Sequence, residues 1–505
     1  MLAVAVALVA LVPVAYLLLR TGEAGVERVV EIVWRERTAA LVLRSLALTA
    51  SVTAACLVVG VTSAALLTRT TVRHRRFWTV VATLPLAVPS YVAAYAWVST
   101  FGSEVTGYGG SVLVLTACTY PLVMLPTMAA LQRTDPSLEE VARSHGRSPL
   151  RTFVTVTLRQ ARPAVAAGSL LVALYTLSDF GAVSILRYDV FTRVIYTSYR
   201  AAFDRTPAAV LSLLLVVITV AITVAESRSR GRAEQVRVGA GVSRPPLRAS
   251  LGRRGQALAT TWLVVVAAVA VGFPVASLSF WLLRGRSAGA GLDRLFGAAS
   301  ATLGVSLLAA LVAVAMALPV GILAARHRTR LVRLTEHASY AGHALPGIVV
   351  ALAMVFFGVR VVPGLYQQVP LLVLTYAILF LPAAVGVVRA SVALSSPHGE
   401  EIARSLGHTS WGVLRRVTVP LAAPGIGAGA ALVMLTCMKE LPATLLLRPT
   451  GMDTLATRLW THTSVDEYAA AAPYAAALVL LAVVPTLFMS REHLSRTPTT
   501  ALEPS

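Results

Sequence analysis

Glu140-Val141-Ala142-Arg143-Ser144-His145-Gly146 recurs as Glu401-Ile402-Ala403-Arg404-Ser405-Leu406-Gly407, at a spacing of 261 residues (401 − 140). The same spacing pairs Leu84-Pro85 with Leu345-Pro346, Pro121 with Pro382, Pro136 with Pro397, Pro163 with Pro424, Gly168 with Gly429 and Arg187 with Arg448. Self-similarity at one fixed spacing along most of a chain is the mark of a duplicated fold. What surrounds the repeated heptad decides which fold was duplicated.

Working outward, six apolar stretches flank each copy. The first set is 2–19, 46–67, 78–100, 111–131, 164–186 and 208–225; the second is 258–283, 301–324, 344–359, 370–394, 425–447 and 469–488. Most have the length of about 20 residues that a helix needs to cross a bilayer. Of the 505 residues 56% are hydrophobic, and the mean hydropathy is +0.74, more than a water-facing surface tolerates. The expected fold is an all-α polytopic membrane protein of about twelve transmembrane helices, arranged as two parallel six-helix repeats. An even number of spans per repeat makes both copies enter the membrane in the same direction. Residues 1–226 form the first repeat (core about 45–226), 227–256 a basic linker, 257–490 the second repeat (core about 298–488), and 491–505 a tail.

Arginines orient the chain. Arg69, Arg73, Arg75 and Arg76 follow the second stretch, and Arg326, Arg328, Arg330 and Arg333 follow the eighth, which places those ends in the cytoplasm. Both termini and the arginine-rich linker are then cytoplasmic. The stretch 20–44 faces outward by this count and balances five arginines with four glutamates. The first apolar stretch lacks a basic leader and a small-residue cleavage site, so it reads as a retained helix.

The formal charge of +21 is carried by loops between apolar stretches, where membrane lipid headgroups, and not nucleic acid, are the expected partner. Cys56, Cys118 and Cys437 lie in apolar stretches without CxxC spacing and read as small buried side chains. The nine histidines show no HExxH or comparable ligand spacing. Lys439 is the sole lysine, inside an apolar stretch with no glycine-rich loop before it, so a P-loop ATP site is excluded and any ATP dependence belongs to a partner.

Between the fourth and fifth stretches of each repeat lies a longer inward loop, 135–160 and 396–421. Asp135-Pro136 and Ser396-Pro397 each set a capping side chain before a proline at the first helical position. Gly146 and Gly407 suit a helix C-terminal turn, and Ser148-Pro149 opens a second short helix. Each loop is expected to be helix, turn, helix at the membrane surface. Its Glu-x-Ala-x-x-x-Gly, followed ten residues later by spaced aliphatics and proline, resembles the coupling motif of ABC importer permeases. Val417, Val419 and Pro420 complete it in the second copy; Val156 and Leu158 do so in the first, where Arg159 replaces the proline.

The resemblance implies that Glu140, Ala142 and Gly146, with Glu401, Ala403 and Gly407, dock a separate ATPase subunit, expected in two copies on the cytoplasmic face. It also implies an external substrate-binding protein, and a type I-like importer fold in the plasma membrane. Ser178–Thr192 (SDFGAVSILRYDVFT) and Met438–Pro449 (MKELPATLLLRP) narrow the likeness to fused two-repeat ferric-iron permeases, with thiamine and phosphonate permeases as relatives. No cofactor is then expected on this chain; ATP is used by the partner.

Asp179, Lys439 and Glu440 fall within apolar stretches, where ionisable groups are costly and face a partner or a watery path. They are candidates for the translocation pathway or its gate, against a structural role in fixing helix packing. Arg187 and Arg448 are expected at the outer helix ends. A secondary transporter using the three charges as a proton relay is the alternative of another class; an intramembrane enzyme lacks a nucleophile or metal set.

Overall fold

The computed structural model describes residues 1–201, 204–229, 248–284, 291–340, 342 and 345–495. Residues 230–247 of the expected linker and 496–505 of the tail lie outside them. The described residues are almost wholly helical; an isolated bridge joins Thr70 and Ala249. Among them nine helices are long and apolar enough to span a membrane, and a bent pair makes a tenth. Two shorter apolar helices, Gly347–Arg360 and Tyr468–Ala482, stand at the ninth and twelfth apolar stretches. All three cysteines are buried and unbridged, as expected.

Two helices outrun the bilayer. Glu36–Arg69 has 34 residues and Leu292–Arg326 has 35, each about 50 Å long against a hydrocarbon core of about 30 Å. Each ends on an arginine, Arg69 or Arg326.

Three expected spans are broken. The stretch 78–100 becomes Arg75–Ala87 and Ser90–Val105, bent by 90°. Pro89 sits at the break, lacking the N–H that would continue a helical ladder. The fifth span starts early, at Pro149, passes through a π turn at Phe153–Thr157, and stops at Ser178; a short helix, Gly181–Ile185, follows. The eleventh repeats this with Ser410–Met438, a π turn at Leu414–Thr418, and Pro442–Leu447. The second part of each inward loop is thus continuous with the span after it.

The chain packs as two units. One comprises residues 1–40, 191–219 and 289–465. In it Leu292–Arg326, Val369–Leu394 and Val419–Met438 pack together, and Leu2–Glu23 lies against Leu292–Arg326, Arg330–Tyr340 and Gly347–Arg360. Glycines permit the closest approaches: a Cβ on Gly429 would fall 2.4 Å from Val387, and one on Gly321 2.7 Å from Val388. Small residues are the usual means of tight helix packing in lipid.

The other unit comprises residues 41–190, 220–288 and 466–505. Tyr108–Gln132 packs on Leu158–Ser178, where a Cβ on Gly168 would meet the Leu122 carbonyl at 2.7 Å. Phe273–Arg284 packs on Ser90–Phe101: Ser277 Oγ donates to the Ala96 carbonyl at 3.0 Å, and the Trp97 and Phe273 rings are 4.1 Å apart.

The structure refines the repeat. From the fourth span onward equivalent positions keep the 261-residue spacing: Tyr108–Gln132 and Val369–Leu394 begin in register, as do the two π turns. In the second and third spans the spacing is 257 (326 − 69). Arg69 and Arg326 both end the long helices, and Pro89, not Pro85, matches Pro346 as the residue from which the next helix starts. Four extra residues in the second copy, between the third and fourth spans, account for the difference.

Candidate coupling loops and buried carboxylates

Both loops are built alike. Pro136–Ser144 is capped by Asp135, whose Oδ1 accepts from the Ser137 N–H at 2.9 Å; Pro397–Ser405 is capped by Ser396, accepting from the His398 N–H at 3.3 Å. Each helix ends on a glycine in the left-handed region, Gly146 at φ +76° and Gly407 at φ +84°. The Arg147 N–H reaches the Ala142 carbonyl and the His408 N–H that of Ala403, closing paired Schellman turns. Short helices Pro149–Thr152 and Ser410–Val413 then lead through the π turns into the membrane.

The expected glutamates are exposed and their neighbours are not. Glu140 and Glu401 face outward, Ala142 is half-buried and Ala403 buried. Exposed apolar side chains accompany them: Leu138 and Val141 in one loop, Ile402, Leu406 and Trp411 in the other. A charged and apolar surface of this composition suits a protein partner.

The buried carboxylates are Glu139 and Glu400, which sequence reading passed over. Glu139 Oε1 lies 2.8 Å from Arg69 Nη2 and accepts from Thr157 Oγ1 at 2.9 Å. Arg69 also donates to Thr134. Glu400 Oε1 lies 2.8 Å from Arg326 Nη2 and accepts from Thr418 Oγ1 at 3.0 Å. Arg326 also reaches Ser395 Oγ at 2.8 Å. Each clip ties the end of a long span, the loop helix and the π turn at one point. Buried charges persist only when paired and hydrogen-bonded. The sequence signal was the duplicated Glu-Glu at 139–140 and 400–401; which one turned inward depended on an arginine about 70 residues away.

The intramembrane acids occupy equivalent positions (440 − 179 = 261), one in each unit. Asp179 is buried; Ser90 donates to it, and its Oδ1 accepts from the N–H groups of Ala182 at 3.0 Å and Val183 at 3.3 Å. Glu440 accepts from the N–H groups of Ala443 at 3.0 Å and Thr444 at 3.3 Å. Each acid therefore caps the short helix that follows it and sits where a second helix begins, at Ser90 or at Gly347. Lys439 is half-buried at the C-terminus of Val419–Met438. Lys439 and Glu440, adjacent in the chain, lie in one unit and Asp179 lies in the other.

Arg187 and Arg448 each have an acidic partner. Arg187 lies 3.4 Å from Asp466, and Arg448 donates to Asp453 and to the Met452 carbonyl. Among the described residues no group of three His, Cys, Asp or Glu side chains is placed to hold a metal ion.

Comparison with known proteins places these features. The Fe(3+)-transport system permease protein FbpB 2 of Haemophilus influenzae is 37% identical over 482 residues, 95% of each chain. A molybdate/tungstate transport system permease protein of Pyrococcus abyssi is 27% identical over 34% of this chain and 71% of its own. A putative 2-aminoethylphosphonate transport system permease protein of Salmonella typhimurium is 26% identical over 38% of this chain and 76% of its own. The family described as binding-protein-dependent transport system inner membrane component matches residues 56–227 and 317–491, one segment in each repeat. Two matched segments that carry both capped loops in one polypeptide make this chain a member of that family, with both membrane domains fused.

Proposed function

We propose that this permease carries ferric iron, handed over by an external binding protein, and is driven by two ATPase subunits seated on the loops at 135–160 and 396–421. The observation that supports the cargo is likeness along 95% of both chains to a permease named for Fe(3+) transport, where the molybdate and phosphonate relatives align over about a third. Iron is here a substrate in transit and ATP belongs to the partner. No cofactor is assigned to this chain.

The loops supply the coupling. An ATPase subunit touching Glu140 and Val141, or Glu401 and Ile402, pushes on a helix whose neighbouring residue is clipped to Arg69 or Arg326. Movement of the loop is thereby passed to a long span and, through Thr157 or Thr418, to the span leading to Asp179 or Glu440. In this reading Asp179 and Glu440 act on the path as holders of the short helices, with Lys439 adjoining Glu440. The arginine-rich ends and both termini face the cytoplasm.

The deciding experiment is ATP-dependent uptake in vesicles containing this chain, its ATPase and its binding protein, with radioactive ferric iron, molybdate and 2-aminoethylphosphonate offered separately. Iron accumulation that needs all three components is the expected result. Uptake of molybdate or 2-aminoethylphosphonate in its place would correct the cargo, and iron uptake without ATP, abolished by collapsing the proton gradient, would overturn the mechanism.

A further inference from the structure

Within the unit formed by residues 1–40, 191–219 and 289–465, a cavity of about 590 Å³ opens at the arginine-rich end. Arg328, Arg333, Arg389, His327, His337 and Glu336 line it. Three guanidiniums face one carboxylate, and that carboxylate is engaged by Arg389. Among the described residues neither Arg328 nor Arg333 has an acidic partner. Such a concentration of positive charge calls for an anion.

The helix that forms one wall, Arg330–Tyr340, indicates where the anion comes from. It buries Thr335 and Ser339 against the unit and turns Leu331 and Leu334, 61% and 66% exposed, outward beside Arg333. It begins four residues after the 35-residue helix Leu292–Arg326, which is longer than the roughly 30 Å apolar layer and ends on an arginine. Leucines and cations on the outer faces of a helix that follows the end of a membrane span fit the boundary between headgroups and acyl chains. The corresponding helix of the first repeat, Arg75–Thr83, shows the same pairing, with Phe77 exposed beside Arg75 and Arg76. A soluble anion would have no use for these apolar side chains.

We infer that this cavity holds the phosphodiester headgroup of an anionic phospholipid, with Arg328 and Arg333 on the phosphate and Leu331 and Leu334 against the chains. The site lies next to a coupling clip: His327 follows Arg326, which holds Glu400, and Arg389 belongs to the helix that precedes Ser396. The inference concerns lipid and is independent of the cargo, so failure of iron uptake leaves it standing.

The test is native mass spectrometry of the full chain released from nanodiscs of phosphatidylcholine containing phosphatidylglycerol. Saturable retention of phosphatidylglycerol over phosphatidylcholine is expected. The double variant Arg328→Gln/Arg333→Gln should lose about 30-fold in that affinity, and each single variant about five-fold. The single variants keep the test readable where the double one does not accumulate. Arg294→Gln, at the opposite end of the long helix, should change nothing. Equal retention of the two lipids, or equal loss in Arg294→Gln, would overturn the site. Displacement by millimolar inorganic phosphate would overturn its assignment to lipid.

Discussion

At the scale of single residues, adjacent glutamates divide the work. Glu139 and Glu400 are buried and hold Arg69 and Arg326, while Glu140 and Glu401 are exposed. Glu139→Ala leaves Arg69 buried without its counterion, and removal of one member of such a pair costs about 3–5 kcal/mol. Thermal unfolding of the purified chain should fall markedly for Glu139→Ala and stay near wild type for Glu140→Ala. Coupled uptake should be lost in the pair Glu140→Ala/Glu401→Ala without loss of thermal stability; unchanged uptake there would remove the docking role. Asp179 offers a second contrast, because its oxygens accept from two backbone N–H groups and from Ser90. Asp179→Asn keeps an acceptor and should retain uptake, whereas Asp179→Ala loses the cap, worth about 1 kcal/mol, and should fail. Loss in both variants would instead assign the function to the charge.

At the scale of elements, the loop turn and the helix crossings are set by glycines for different reasons. Gly407 lies at φ +84° with open space around it, so Gly407→Ala pays only a backbone cost of about 1–2 kcal/mol. Gly429 has an ordinary helical backbone but no room beside Val387. Gly429→Ala should lower thermal stability by about 1–3 kcal/mol, and Val387→Ala added to it should restore much of the loss; absence of rescue would place the strain elsewhere. The caps and glycine turns of both loops were legible because Asp-Pro, Ser-Pro and glycine act through backbone geometry within a few residues. The spans were legible because apolarity over about 20 residues is a local property. A helix kink within Leu84–Pro89 was legible from its two prolines and is borne out by the 90° break, but not its place at Pro89, since Pro85 and Pro89 present the same chemistry and tertiary packing selects between them. Nor were the π turns or the inward glutamates, which depend on Arg69 and Arg326 arriving from distant helices.

At the scale of the whole molecule, repeat and packing unit are different divisions of one chain. Order along the sequence puts Leu2–Glu23 and Phe191–Ala201 in the first repeat, yet both pack with helices of the second: the Tyr16 ring stands edge-on to Phe357 at 6.2 Å, Arg360 meets Glu23 at 2.6 Å, and Tyr196 faces Trp460 at 6.3 Å. Likewise Arg253–Arg284 and Tyr468–Ala482 belong to the unit built on residues 41–190. Apolar periodicity cannot reveal this exchange, because every span is apolar enough to cover any other. It has a consequence for folding. A first half ending in the linker lacks the helices that complete its own unit and carries others whose packing surface is absent. Expressed alone, residues 1–240 should be degraded in the membrane, and co-expression with residues 241–505 should restore both abundance and ATP-dependent uptake. Immunoblotting of membrane fractions checks the first outcome and vesicle uptake the second. A first half that accumulates alone at wild-type level would mean that each repeat folds without the segments drawn from the other.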